Sequence, residues 1–242
     1  MKARFAALMA PTGPTRDLDV YLLKQQAFHD LLPESLHAGL DRLFSQLRDR
    51  RATEQERLAV HLRGEGYRQE IAALSTLFHD RPKPLPGPNA GRASFDLACE
   101  LIWKRYRRIR RTASGLTAST PGEDIHKLRI ECKKLRYLME FFGPVFPQDD
   151  FQAVLKPLKG LQDCLGLFND CVVQQVRLHI FAEELEDGPH QREVAQSIGG
   201  LIVVLHQKQM AERDQITAAF ARFNSRRMHR TIRKLFREGK RA

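Results

Sequence analysis

The sequence has 242 residues and a formal charge of +11, from 40 Lys and Arg against 29 Asp and Glu, and this balance favours a polyanionic partner. No apolar run approaches the roughly 20 residues of a membrane-spanning helix. Four scattered cysteines argue against a disulfide framework and against a zinc finger. We therefore expect a soluble cytoplasmic protein that uses no metal and no other cofactor.

Helical patterns separated by Gly and Pro follow one another along the chain, and strand patterns are nearly absent. Apolar spacings of three and four predict a helix from Pro33 to Gly64 and a shorter helix after it. Residues 81–93 are rich in proline, which predicts a stiff, extended linker. The class is therefore all-α, and we expect two helical bundles, over 1–80 and 94–242.

Four further helical regions are predicted after the linker. Thr120 as N-cap, Pro121 at the first helical position and Glu123 form a capping box at the start of the second region. Gly143 and Pro144 end that region. The predicted bounds are 94–112, 121–142, 151–185 with a kink at Pro157, and 191–236 with an interruption near Asn224 and Ser225.

The second of these helices contains HKLRIECKKLRYLMEFF, residues 126–142, which has one basic and one apolar side. The apolar side is formed by Leu128, Leu135, Leu138, Met139 and Phe142. The basic side is formed by His126, Arg129, Lys133 and Arg136, with Lys127 and Lys134 on its shoulder. Only one acid, Glu140, lies among them, and neighbouring like charges repel one another. A bound anion would offset that repulsion.

The preceding helix repeats this design in WKRYRRIRR, where one side carries Lys104, Arg107, Arg108 and Arg111. Two neighbouring helices joined by a short loop can line one groove. The planar fork of Arg grips phosphate oxygens, and His126 can donate from a ring nitrogen. An extended basic groove suits a linear polyanion better than a single small phosphate.

Two short stretches echo each other across the chain. GPTRDLDV, residues 13–20, and GLFNDCVV, residues 166–173, share the pattern glycine, two residues, Arg or Asn, Asp, two residues, valine. In an all-α protein this echo indicates two similar bundles.

HKLRIECKKLRYLMEFF, followed by LKGLQDCLGLFND, resembles the second half of a CHAD domain, and RDLDVYLL resembles the matching turn of its first half. The resemblance extends from about Thr12 to Phe236. It implies two antiparallel bundles related by pseudo-twofold symmetry, with a basic central channel that binds inorganic polyphosphate. It also implies that Asp17 and Asp170 are structural residues at the repeat turns.

When the family's positions are carried over to this sequence, the resemblance assigns a set of cations to this channel. Phosphate or sulfate could occupy the same channel in place of polyphosphate. The assigned residues are His126, Lys127, Arg129, Lys133, Lys134 and Arg136, with Lys104, Arg107, Arg108 and Arg111 beside them and Lys159 as a further candidate.

The sequence departs from the family pattern near its start. The first half of a CHAD domain should carry its own helix with His and Arg, but the residues before Arg16 contain no histidine. The first bundle is therefore expected to be truncated at its N-terminus. A homodimer, in which a second copy supplies the missing wall, would complete the channel.

We expect a non-enzymatic polyphosphate-binding module of the cytoplasm, recruited to polyphosphate granules. No Gly-Lys-Ser/Thr loop, HExxH motif or ExExK motif is present. Two alternatives stay open. One is a non-specific nucleic-acid binder that uses the basic residues 222–242, and the other is an accessory domain of an enzyme that processes triphosphate or polyphosphate.

Overall fold

The computed structural model describes residues 1–79, 87–113, 115–117, 120–185 and 187–238, whose regular secondary structure is helical throughout. None of the described helices is both long and apolar enough to cross a bilayer. The helices are α1 (Lys2–Met9), α2 (Gly13–Leu22), α3 (Gln25–His29), α4 (His37–Arg63), α5 (Glu65–His79), α6 (Ser94–Ala113), α7 (Gly122–Phe142), α8 (Gln148–Glu183), α9 (Gln191–Phe223) and α10 (Arg226–Phe236).

The chain divides into two compact units, one containing residues 1–85 and 178–204 and the other containing 86–177 and 205–242. Residues 178–204 were predicted to lie in the second bundle, whereas this segment belongs to the first unit. The difference arises because α8 and α9 are long helices that contribute to both units, and a boundary placed at a proline-rich segment does not reveal this. Of the predicted linker, 81–86 lies outside the described residues, and 87–93 forms turns and not helix.

The first unit is built around the apolar side of α4. Leu40, Phe44 and Leu47 are almost completely buried, which confirms the spacing-based prediction for this helix. The ring of Tyr21, from α2, contacts Phe181 edge-on at 5.5 Å between centroids. Gly39 lets α4 approach α9, because a Cβ at this position would lie 2.2 Å from the carbonyl oxygen of Glu193.

The second unit has a single large core formed by α6, α7, α8 and the later parts of the chain. The apolar sides predicted for α6 and α7 are confirmed, since Tyr106, Leu128 and Met139 are fully buried. Helix α10 closes this core with its own apolar residues. The ring of Phe236 lies 4.9 Å from that of Phe146, centroid to centroid.

The predicted capping box of α7 is wrong. The helix begins at Gly122, and its N-cap is Pro121, which makes no side-chain capping hydrogen bond. The hydroxyl of Thr120 instead accepts a hydrogen bond from the backbone N–H of Thr117 at 2.8 Å. Thr120 is buried, so its oxygen is already occupied by the preceding turn and is not offered to the helix.

The resemblance implied repeat turns at the two echoing stretches, but both lie in helices, and for the second stretch this agrees with the helix predicted over 151–185. GPTRDLDV belongs to α2, and GLFNDCVV lies in the middle of α8. A glycine inside a helix costs only about 1 kcal/mol. The burial of Leu165 and Phe168 on either side of Gly166 outweighs that cost. Helix α8 also continues through Pro157.

Candidate anion-binding face on α7 and α8

Helices α7 and α8 are joined by two polar contacts in the second unit. Near the start of α7, Nδ1 of His126 lies 2.7 Å from Oδ1 of Asn169. Near its end, Oε1 of Glu140 lies 3.6 Å from Nζ of Lys159. The residue numbers rise along α7 and fall along α8 between these contacts, so the two helices run antiparallel. The side chains between the contacts form a shared surface.

We name this surface the α7–α8 face, and it consists of His126, Arg129, Lys133 and Arg136 from α7 with Lys159, Gln162 and Asn169 from α8. The α7 residues fall within an arc of about 80°, and so do the α8 residues. Polar residues at 159, 162 and 169 are spaced by three and seven and so lie on one side of α8, and this spacing could have revealed Gln162 and Asn169. Neither residue was predicted from the sequence.

Tyr137 supports two of the cations on this face. Nζ of Lys133 lies 5.7 Å from the centroid of the Tyr137 ring, and Cζ of Arg136 lies 5.6 Å from it. Such cation–π contacts contribute about 0.5–1 kcal/mol at an exposed site. They restrict the positions of two flexible side chains and so keep both charges on one side of α7.

Two buried donors on this face have no acceptor. Nε of Arg136 and Nε2 of Gln162 are both inaccessible to solvent, and neither finds a hydrogen-bond partner among the described residues. Glu140 is an ion-pair partner of Arg136 at 3.6 Å, which is too far for a hydrogen bond. A buried donor without a partner costs roughly 1–3 kcal/mol. Because neither atom is accessible to solvent, an acceptor bound on the face can reach them only if the two side chains move on binding.

The α8 side of the face is open beside Gly166. A Cβ placed on this residue would meet nothing within 4 Å, and the same holds at Gly160. Arg129, on α7, is half-buried and forms no hydrogen bond or ion pair with any other side chain of the described residues. The face therefore combines uncommitted donors with free space.

Two other predicted cations, Arg108 and Lys134, form ion pairs with the buried carboxylate of Glu131. Glu131 is 6% exposed and accepts a hydrogen bond from Nη1 of Arg105 at 2.6 Å. Arg108 and Lys134 each approach it to 3.6 Å. Burial opposes ionisation of Glu131, but the Arg105 hydrogen bond and the three positive charges outweigh burial and lower its pKa. Arg105 was missed because it lies about 100° away from the predicted basic stripe of α6.

The structure does not bring the α6 cations into the α7–α8 face. Glu131, through which α6 contacts α7, lies about 140° around α7 from His126. The α6 residues Lys104, Arg107 and Arg111 are exposed. Lys127 forms an exposed ion pair with Asp124 at 2.9 Å. Of the eleven residues predicted from the sequence, His126, Arg129, Lys133, Arg136 and Lys159 are the ones that share this face.

Comparison with known proteins places this geometry in a family. The CHAD domain model matches residues 1–179, which include α7 and nearly all of α8. The resemblance had been expected to extend to Phe236. Two uncharacterized proteins of Mycobacterium tuberculosis, MT2285 of strain CDC 1551 / Oshkosh and Rv2226 of strain ATCC 25618 / H37Rv, are each 28% identical over 177 residues. The match covers 69% of this chain but 31% of either relative, so this chain spans about a third of their length. The family match over most of the sequence shows that the chain belongs to the CHAD domain family.

Proposed function

We propose that the α7–α8 face binds inorganic polyphosphate. The observation that carries this proposal is the cluster of cations on the face, where the guanidinium donors of Arg129 find no acceptor among the described side chains. Phosphate oxygens accept hydrogen bonds and carry negative charge, so one ligand satisfies both requirements. The cations from His126 to Arg136 extend over about 15 Å, which suits a linear anion better than a single phosphate.

His126 is oriented for a second donor role. The amide oxygen of Asn169 accepts from Nδ1 of His126, so Nδ1 carries the hydrogen. The other ring nitrogen, Nε2, then points away from Asn169. When the imidazole is protonated, Nε2–H donates to a phosphate oxygen and the ring adds a positive charge.

The proposal is for binding alone and not for catalysis, in a module of the cytoplasm that is recruited to polyphosphate granules. Burial raises the pKa of the Cys99 thiol to about 11 and that of Cys132 to about 12, so neither provides a thiolate nucleophile near neutral pH. The cations of the face bind phosphate oxygens through charge and hydrogen bonds. Binding should therefore weaken steeply with salt, as counterions are released from the polyanion.

The test compares two double variants with equal loss of charge. R129Q/R136Q removes two cations of the face, and K156Q/K208Q removes two exposed lysines elsewhere in the second unit. Binding of labelled long-chain polyphosphate should weaken at least tenfold in R129Q/R136Q and less than twofold in K156Q/K208Q. Equal losses in the two variants would show that net charge alone drives binding, and the proposal would fail.

Competition at moderate salt tests the class of ligand. Duplex DNA, RNA and ATP are added at matched phosphate concentration to the complex of the wild-type chain with labelled polyphosphate. We expect unlabelled polyphosphate to compete at much lower concentrations than the other three. Equal competition by DNA or RNA would instead support a general nucleic-acid-binding surface.

A further inference from the structure

Helix α10 carries a line of arginines that the α7–α8 face does not use. Arg226, Arg230 and Arg233 follow one another at spacings of four and three, so they fall within about 60° around the helix axis and span roughly 10.5 Å, and Arg237 follows directly after the helix ends. All four side chains are exposed. We name these residues the α10 stripe.

The opposite side of α10 holds the helix firmly on the second unit. Ile232, Leu235 and Phe236 are at most 5% exposed. Nδ1 of His229 accepts hydrogen bonds from the hydroxyl of Tyr106 at 3.3 Å and from Nη1 of Arg110 at 3.1 Å. The stripe is therefore presented to solvent by a docked helix, and binding a ligand would not require the helix to fold first.

The positive charge of α10 is poorly balanced. Its first turn contains no acid, although Arg226 and Arg227 lie at the end of the helix where the macrodipole is already positive. Arg233 pairs with Glu238 at 2.6 Å. Arg226 and Arg230 have no acidic partner among the described residues. Positive charges at these positions repel one another, and a bound anion would offset that repulsion.

We propose that the α10 stripe is a second polyphosphate-binding surface, so that one chain can hold two segments of polyphosphate. That the ligand is polyphosphate rests on the proposed function, but the α10 stripe is a different surface from the α7–α8 face. Helix α10 lies beyond residues 1–179, which the CHAD domain model matches. The stripe is thus a feature of this chain outside the matched range.

The chemistry of α10 favours polyphosphate over nucleic acid. The helix contains no Asn or Gln, the side chains that pair with adenine edges. The ring of Trp103, which lies beside α10, is covered by Arg237, whose Cζ lies 5.7 Å from the ring centroid. Bases therefore find no free stacking platform here. Guanidinium forks remain, and they recognise guanine edges as well as phosphate oxygens, but only in polyphosphate do phosphate oxygens make up the whole surface.

Two surfaces on one chain would make binding of long polyphosphate bivalent. When one surface has bound, the effective concentration of the same polymer at the other surface is high, so the overall affinity exceeds that of either surface alone. Two different polymers could also be bridged by one chain. We expect long polyphosphate to be cross-linked by the wild-type protein and to scatter light.

The experiment counts short polyphosphate molecules bound per chain by native mass spectrometry and isothermal titration calorimetry. The wild type and K156Q/K208Q should bind two. R226Q/R230Q and R129Q/R136Q should each bind one, and the fourfold variant should bind none. Arg226 and Arg230 are exposed, so thermal unfolding of R226Q/R230Q should match the wild type and confirm that it is folded.

The outcomes separate the two proposals. If R226Q/R230Q still binds two molecules, the α10 stripe is not a polyphosphate site and this inference is overturned. The same conclusion follows if R226Q/R230Q loses binding of duplex DNA while it keeps two polyphosphate molecules. If R226Q/R230Q binds one molecule and R129Q/R136Q still binds two, the α10 stripe stands and the proposed function of the α7–α8 face fails.

Discussion

The imidazole of His126 donates from Nδ1 to the amide oxygen of Asn169, 2.7 Å away across two antiparallel helices. This contact fixes which ring nitrogen carries the hydrogen and which is left for a ligand. It also connects the two stretches of sequence, HKLR and FNDC, that first suggested the family. Asn169 therefore acts as a positioning residue for His126.

Asn169→Ala should weaken polyphosphate binding about three- to tenfold, because the loss of one hydrogen bond worth about 1 kcal/mol frees the imidazole to rotate. The dissociation constant is measured by calorimetry at fixed pH and salt. Gln207→Ala, at an exposed amide on α9, is the matched control and should leave the dissociation constant unchanged. An unchanged affinity in Asn169→Ala would exclude a positioning role for Asn169.

Glu131→Gln should destabilise the second unit by about 2 kcal/mol while leaving polyphosphate affinity within twofold of the wild type. The loss arises because Arg105 keeps its charge in a partly buried position without its carboxylate. Affinity is preserved because Glu131 lies on another side of α7 than the face. Urea unfolding and a binding titration on the same variant check both parts, and a large loss of affinity would contradict the division of the α7 cations.

The carboxylate of Glu131 also makes the stability of the second unit depend on pH in the acidic range. The pKa of Glu131 is lower in the folded chain than its ordinary value of 4.5. Its contribution to stability is therefore present above pH 4.5 and is lost as the pH falls through the lowered value of the folded state. Glu131→Gln should remove this part of the acid dependence.

His229 should make the docking of α10 sensitive to pH. Burial lowers the pKa of His229 below 6.5, and the charges of Arg110 and Arg233 lower it further. The unfolded chain therefore binds the proton more readily, so stability is full above about pH 7 and falls as the pH drops through 6.5. Protonation also removes the acceptor that Tyr106 and Arg110 share.

His229→Asn provides the comparison for this prediction. An Asn oxygen can accept the same hydrogen bonds as Nδ1 but does not titrate in this range. The melting temperatures of wild type and His229→Asn, measured from pH 8 to pH 5, should diverge below pH 6.5, with the wild type losing more. If the melting temperatures of the two proteins fall in parallel with pH, protonation of His229 does not affect stability in this range.

The helices were predictable because their apolar residues recur at three and four, and the burial of Leu128, Leu135 and Met139 confirms this. The capping of α7 was not predictable, because the Thr120 hydroxyl had two possible backbone partners and only the folded turn decides between them. The domain division was missed for a related reason: no local signal tells how far a long helix extends past its own bundle.

The basic side of α7 was also visible in the sequence, but its division into two environments was not. Helical angles placed Lys134 at the edge of the basic side of α7. They did not show that Glu131 is buried and forms an ion pair with this lysine. Gln162 was missed because a neutral amide adds nothing to a charge pattern, although its position on the same side of α8 as Lys159 was visible. Its importance rests on a buried nitrogen without an acceptor, which only packing can create.

Glu140 lies beside the α7–α8 face, 3.6 Å from both Nε of Arg136 and Nζ of Lys159. In the absence of a ligand it partly neutralises these cations, and a bound polyanion must tolerate its negative charge. Glu140→Gln should therefore strengthen polyphosphate binding about two- to fivefold, equivalent to roughly 0.5–1 kcal/mol for a partly exposed charge pair.

Salt dependence tests the cause of this gain. The logarithm of the affinity of Glu140→Gln should fall more steeply with the logarithm of the salt concentration, because one more cation is free to release counterions from the polymer. Glu56→Gln makes the same charge change at an exposed position on α4 and should alter neither the affinity nor the slope. A weaker complex in Glu140→Gln would mean that Glu140 serves mainly to hold Arg136 and Lys159 in place for the ligand.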